Sequence, residues 1–314
     1  MQYKKTPVPG KAAFPIILGS TAFGMDELLD KSFEHMDAYR SFGGNWIDTA
    51  RVYGKALGDS ERAIGAWLRE RKCRDEIIIG TKGGHPPFEN MHSGRLDREN
   101  LRFDMEESLS NLGVSGVDVY YLHRDDVSRP VGDILETLNG FVEEGKTKIL
   151  GASNWTAARI REANDYARAH GLHGFEANQP MWSLAKCIKE YDDTLVQMDS
   201  ELWEMHRQEN LMCTPFSSQA KGYFMKLANG TLSPKAAERY DGDENRAIYA
   251  RLCALSEETG LSIASLQLAY LTCQEFPVFP IVGASSAAQI YELRAAAEAI
   301  LTPAQVTGIR RMDA

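Results

Sequence analysis

Four side chains in the first half of the chain could together deliver a proton to a carbonyl oxygen. They are a carboxylate, Asp48; a phenol, Tyr53; an amine, Lys82; and an imidazole, His123. A phenol with the ordinary pKa of about 10 is a poor donor at neutral pH. A neighbouring ammonium favours the phenolate and is expected to bring that pKa down toward the working range. Lys82 could supply the ammonium, and Asp48 could hold Lys82 charged and oriented. His123 could donate a hydrogen bond to a substrate oxygen. An acid beside an oxyanion-stabilising group suits carbonyl reduction. Taken singly, each residue has a plainer reading: a structural Asp48–Lys82 ion pair, a packing tyrosine, a strand-end histidine with its own partner. The functional reading depends on these side chains converging, and so on the elements that carry them.

Those elements alternate. Asn45-Trp-Ile ends in Asp48 and reads as a strand; Glu76-Ile-Ile-Ile-Gly-Thr-Lys82 and Val117-Asp-Val-Tyr-Tyr-Leu-His123 are the next two. Ile16–Leu18 precedes them, and 148–153, 174–178, 211–214 and 278–281 follow. Between the strands, apolar residues recur at helical spacing, as in Leu29, Phe33 and Met36 or Leu101, Met105 and Leu109. Helices are predicted near 62–69, 156–169, 192–208, 245–259, 262–275, 286–300 and 303–312, while residues 1–15 carry little pattern. Strand–helix alternation implies a parallel sheet. Eight such units without a linker fit an α/β fold of the (β/α)8 TIM barrel type, one domain over 1–314. Long loops are expected at 83–97 and 217–244, after strands 3 and 7, at the strand ends where barrel sites are built. The second mixes charges with Tyr223, Phe224 and Tyr240 and reads as a mobile, polar-rimmed lid.

The bulk numbers exclude some functions. Lys and Arg total 35 against 44 Asp and Glu, a net charge of −9. That balance argues against broad binding to nucleic acid or anionic membranes. No apolar run approaches the roughly 20 residues that span a bilayer. Five scattered cysteines, with no Cys-x-x-Cys pair, fit reduced thiols in a cytoplasmic protein rather than a disulfide frame, and no metal site is expected.

The chain resembles the aldo-keto reductase family. The matching runs are Asp48-Thr-Ala-Arg-Val-Tyr-Gly54, Gly80-Thr-Lys82, Asp118-Val-Tyr-Tyr-Leu-His-Arg124, Gly151-Ala-Ser-Asn154, Asn178-Gln-Pro180 and Ile281-Val-Gly-Ala284, in the family's order and spacing. The resemblance implies hydride transfer from a nicotinamide cofactor, NADP(H) with NAD(H) not excluded, to a small-molecule aldehyde or ketone. It makes Tyr53 the general acid, tuned by Lys82 and Asp48, with His123 orienting the carbonyl. It places Ser153, Asn154 and Gln179 on the nicotinamide carboxamide and Phe216 against the nicotinamide ring. Thr21, Ser217 and Gln219 would lie along the ribose and pyrophosphate, and Gly283, Ser285 and Gln289 around the adenosine.

Where many relatives carry an arginine for the NADP 2′-phosphate, this chain reads Ser285-Ser286, with Arg294 and Lys221 as possible replacements. Asn154 is also expected to cap the following helix. Gly140-Phe-Val-Glu-Glu-Gly-Lys-Thr147 matches a phosphate-loop pattern, but the helix precedes it and the strand follows, the reverse of what that motif needs. His85 and His92 read as solvated loop residues, with substrate contact as the alternative. Phe23, Trp155 and Trp182 are candidates for shaping the substrate site. Two further functions remain open: a Schiff-base lyase using Lys82, and a cofactor-binding redox-sensing subunit with little turnover.

Overall fold

The structure, a computed structural model, describes residues 3–310. A short antiparallel pair, β1 (Lys4–Lys5) with β2 (Ala12–Ala13), comes first. Eight strands then follow one another around a parallel sheet: β3 (Ile17–Gly19), β4 (Trp46–Asp48), β5 (Ile78–Gly83), β6 (Val119–Leu122), β7 (Ile149–Ser153), β8 (Ala177–Gln179), β9 (Met212–Cys213) and β10 (Ile281–Val282). β10 pairs with β3, and Cys213 in β9 bridges Val278 just ahead of β10. The Cys213 N–H donates to Pro277 O at 2.9 Å and the Phe279 N–H to Cys213 O at 2.8 Å. These bonds close the sheet into a (β/α)8 barrel.

Helices α1 (Leu29–Ser41), α2 (Asp59–Arg71), α3 (Arg98–Leu112), α4 (Val131–Glu143), α5 (Ala157–His170) and α6 (Ser200–Glu209) each follow one strand. α7 (Tyr223–Ala228), α8 (Pro234–Tyr240), α9 (Asp243–Thr259) and α10 (Ile263–Thr272) lie between β9 and β10; α11 (Ala287–Glu298) and α12 (Pro303–Arg310) come after β10. The last two positions of the helix predicted over 303–312 lie outside the described residues. Local chemistry sets the boundaries: Asp97 accepts from the Asn100 N–H at the start of α3, and Gly113 ends that helix with φ +64°.

Strand parity positions the site. Alternate residues face alternate sides of a strand. Trp46, Ile78, Val119, Tyr121, Ile149 and Phe279 form an apolar cluster that fills the barrel, with Val8 and Ala13 among its members. Ile47, Ile79, Tyr120, Leu122 and Leu150 belong to the larger cluster shared with the helices. Asp48 has the parity of Trp46, and Lys82 that of Ile78, so both point inward near the carboxyl ends of their strands. A Cβ on Gly151 would sit 2.4 Å from the Tyr121 ring, so only glycine lets that ring cross the barrel here.

Three expectations need correction. The patternless N-terminus forms the β1–β2 hairpin, tied down by Lys11, which donates to Ile77 O at 2.8 Å and pairs with Asp118 at 3.3 Å. The helix predicted over 192–208 begins only at Ser200, because Asp199 caps it by accepting from the Leu202 N–H, while Met181 exchanges backbone bonds with Val196 and Met198. The 217–244 segment is not a long loop. It holds α7 and α8, and Tyr223, Phe224 and Tyr240 are buried in the outer core.

Candidate active site

Asp48, Tyr53, Lys82 and His123 converge at the mouth of the barrel. The Lys82 ammonium donates to Asp48 Oδ2 at 2.7 Å and to Thr49 O at 2.8 Å. Gln179 donates to the other carboxylate oxygen at 3.0 Å. Lys82 Nζ lies 4.8 Å from the centre of the Tyr53 ring, and the Tyr53 and His123 rings meet edge to face at 5.7 Å. Asp48, Tyr53 and His123 line a cavity; Lys82, 1% exposed, stands behind them.

Burial works against a charge on Lys82, but Asp48 and Tyr53 more than reverse it and hold the ammonium above its ordinary value. Burial also pushes the Asp48 carboxyl up, against the pull of Lys82 and Gln179. The pair is ionic, because the carboxylate balances a lysine that keeps its proton. A charged, doubly bonded amine has no lone pair for a Schiff base, which counts against the lyase alternative. Tyr53 departs from expectation. Burial raises its pKa above the ordinary phenol value, and Lys82 offsets this only in part, since Asp48 already neutralises Lys82. His123 is held far below the usual imidazole range by burial and by Lys82, so it is neutral. Its Nδ1 is buried without a partner, which leaves Nε2 as the ring nitrogen available to a ligand.

The cavity has a volume of about 1150 Å³. Thr21, Ser153, Asn154, Gln179, Phe216, Ser217, Gln219, Gly283, Ser285 and Gln289 all line it. All the positions that the family resemblance assigned to a cofactor thus face one continuous space. Its walls carry backbone strain. Asn154, Ser217 and Lys221, at φ +61°, +54° and +54°, lie in the left-handed region and line the cavity. Such strain clusters at ligand clamps.

Asn154 does not cap α5; Thr156 does, accepting from the Arg159 N–H. Asn154 is a tether instead. It donates to His123 O at 3.1 Å and accepts from the Val196 N–H at 3.1 Å. It thereby joins the ends of β6 and β7 to the irregular segment 180–199. Arg124 grips the same segment, and His92, at the tip of the 83–97 loop, reaches Asp193 at 3.2 Å.

Other expectations change with the geometry. His85 is buried, not solvated: its ring lies 4.7 Å from that of His123, and its Nδ1 is 2.6 Å from Pro86 O. The sequence held a signal for this, since Pro86-Pro87 stiffens the chain just after Lys82-Gly-Gly. Trp155 and Trp182 do not line the cavity; they pack in the core against Phe175 and Phe276. Phe23 does line it. Arg294 is turned to Glu298 at 3.7 Å and away from the cavity, whereas Lys221 and Lys226 line it. Sequence reasoning passed over Arg124, which lines the cavity beside His123. Its adjacency to the strand-end histidine was the available signal.

A family model described as "Aldo/keto reductase family" matches residues 15–314. Among curated proteins, the chain is 28% identical to norsolorinic acid reductase stcV of Emericella nidulans, over 91% of this chain and 74% of that protein. It is 28% identical to norsolorinic acid reductase B of Dothistroma septosporum, over 98% and 81%. The identity is again 28% to the NADP(+) aryl-alcohol dehydrogenase of Phanerodontia chrysosporium, over 96% and 82%.

Proposed function

The chain belongs to the aldo/keto reductase family of oxidoreductases, and from that premise we propose that it reduces an aldehyde or ketone to the alcohol with NADPH, using Tyr53 as the general acid. The observation that carries the proposal is the buried Lys82–Asp48 pair set beneath the Tyr53 ring at the wall of a cavity large enough for a dinucleotide and a substrate.

The residues present fit the cofactor. Polar side chains interrupt a mainly apolar lining at the positions assigned to the cofactor, Gly283 leaves open space where a side chain would stand, and Phe216 lines the same cavity. Ser153, Asn154 and Gln179 would hold the carboxamide; Thr21, Ser217 and Gln219 the ribose and pyrophosphate; and Ser285 and Gln289 the adenosine. With serine in place of the arginine at 285, the lysines that line this cavity for a 2′-phosphate to meet are Lys31, Lys221 and Lys226. When bound, the nicotinamide supplies the hydride.

The chain's own groups manage the oxygen and the proton. Neutral His123 donates from Nε2 to the carbonyl oxygen and orients it. As negative charge develops on that oxygen, Tyr53 passes it the phenolic proton. Lys82 stabilises the phenolate left behind, and Asp48 keeps Lys82 charged and in place. A dry, preorganised site makes these charges count for more than they would in water.

A panel of aldehydes and ketones assayed with NADPH and NADH in parallel tests the reading. Carbonyl-dependent oxidation of NADPH is expected, faster than with NADH. Tight NADPH binding with negligible turnover across the panel would favour the redox-sensing alternative.

A further inference from the structure

Arg124 follows the catalytic histidine and lines the cavity with Tyr53 and His123. It is 8% exposed, and its planar head is fixed on three sides. Nε donates to Thr194 Oγ1 at 2.9 Å, Nη1 to His123 O at 2.8 Å, and Nη2 to Asp192 Oδ2 at 3.1 Å. A guanidinium has five N–H donors and three are used here, so one remains on each terminal nitrogen for an acceptor oxygen. Its counterion is the more exposed partner, with side-chain exposures of 9% for Arg124 and 30% for Asp192. The guanidinium is therefore the more deeply buried member of the pair, at the cavity wall. Phe23, Leu195 and Phe216 also line this cavity, whose surface is apolar in the main. A buried guanidinium whose remaining N–H groups lack acceptors is costly to leave so.

We propose that Arg124 is a specificity-determining residue that binds an acceptor oxygen of the substrate other than the reacting carbonyl. The substrate class is then an aldehyde or ketone that also carries a carboxylate or hydroxyl group. This rests on the carbonyl-reductase reading above. Arg124 leaves the chemistry to Tyr53 and adds binding energy to substrates that present the second oxygen.

The test uses the full chain with NADPH and two matched pairs: benzaldehyde against 4-carboxybenzaldehyde, and propionaldehyde against glyceraldehyde. The wild type is expected to favour the oxygen-bearing member of at least one pair by roughly tenfold or more in kcat/KM. An advantage in the first pair marks a carboxylate ligand, one in the second a hydroxyl. Arg124→Met should erase the advantage mainly through KM. Arg124→Lys, which keeps charge without the fork, should restore part of it and guards against a methionine variant that does not fold. The proposal is overturned by a wild type with no advantage in either pair, by an advantage that survives both substitutions, or by an equal fall in kcat on all four substrates, the mark of a purely structural role. Turnover of none of the four by the wild type would remove the reductase reading, and this assignment with it.

Discussion

Lys82 Nζ sits 2.7 Å from Asp48 Oδ2 with the lysine side chain fully buried and the carboxylate nearly so, so neither charge is well hydrated. Breaking such a pair from one side leaves the other charge stranded, at a cost of about 3–5 kcal/mol. Lys82→Met and Asp48→Asn should therefore lower the denaturation midpoint as well as turnover. Urea unfolding followed by circular dichroism checks this; a variant as stable as the wild type would show that the pair is not held as described.

A second clamp sets the 83–97 loop. Asp104 on α3 accepts from both terminal nitrogens of Arg95, at 2.7 and 2.8 Å, and from the Gly84 N–H at 2.8 Å. Arg95 also reaches His85 O at 3.3 Å, so the clamp holds the imidazole that packs on His123. Asp104→Asn should speed amide exchange across 84–96 and lower kcat, because the wall behind His123 loosens. Exchange confined to wild-type rates would refute this.

Stability should fall as the pH drops from about 6.5 toward 4. His206 is buried, linked through Nδ1 to Leu211 O at 2.9 Å and through Nε2 to Asn178 at 3.1 Å, and burial lowers its pKa to about 4. Over that window the unfolded chain takes up a proton that the folded chain refuses, so stability is lost with falling pH, by about 3 kcal/mol for this residue. His35, His85 and His123 are shifted in the same direction. His206→Gln should remove one residue's share of the slope in the unfolding free energy between pH 6.5 and 4; an unchanged slope would contradict it. Asp118, held below the ordinary carboxylate value because Arg74, Lys148 and Lys11 outweigh its burial, adds stability above the unfolded value of about 4 that is lost only at lower pH.

Turnover should have its own pH dependence. Because burial raises the Tyr53 pKa, the acid stays protonated through neutral pH, and kcat for reduction should hold until the ordinary phenol value of about 10 is passed. Alcohol oxidation needs the phenolate and should rise with pH over the same range. A reduction rate that falls between pH 6 and 8 would assign the proton to another group.

How far the site could be read from the chain depended on where the information lay. Asp48, Lys82 and His123 sit at the ends of strands with plain apolar runs, and period-2 parity turns them inward, so their meeting follows from strand order alone. What escaped was set by tertiary contacts. Residues 192–199 carry apolar residues at helical spacing, yet their backbone bonds go to Met181 and to the Asn154 side chain, and the side chains of Asp192 and Thr194 go to Arg124. The two-residue strands at Lys4 and Ala12 are too short for any periodicity and are held by Lys11 and Asn45. Tyr240 lies far along the chain from the adjacent Tyr223 and Phe224, and the three reach one core only because α7 and α8 fold back on it. The upward Tyr53 pKa needed the extent of burial, which no spacing reveals.

The central claim is that Tyr53 delivers the proton. Single-turnover reduction of a reactive aldehyde by Tyr53→Phe, with the Kd for NADPH measured alongside by fluorescence titration, tests it most directly. The account predicts a rate lower by roughly 10²–10⁴-fold at an unchanged Kd. A phenylalanine variant that reduces the aldehyde at close to the wild-type rate would contradict it.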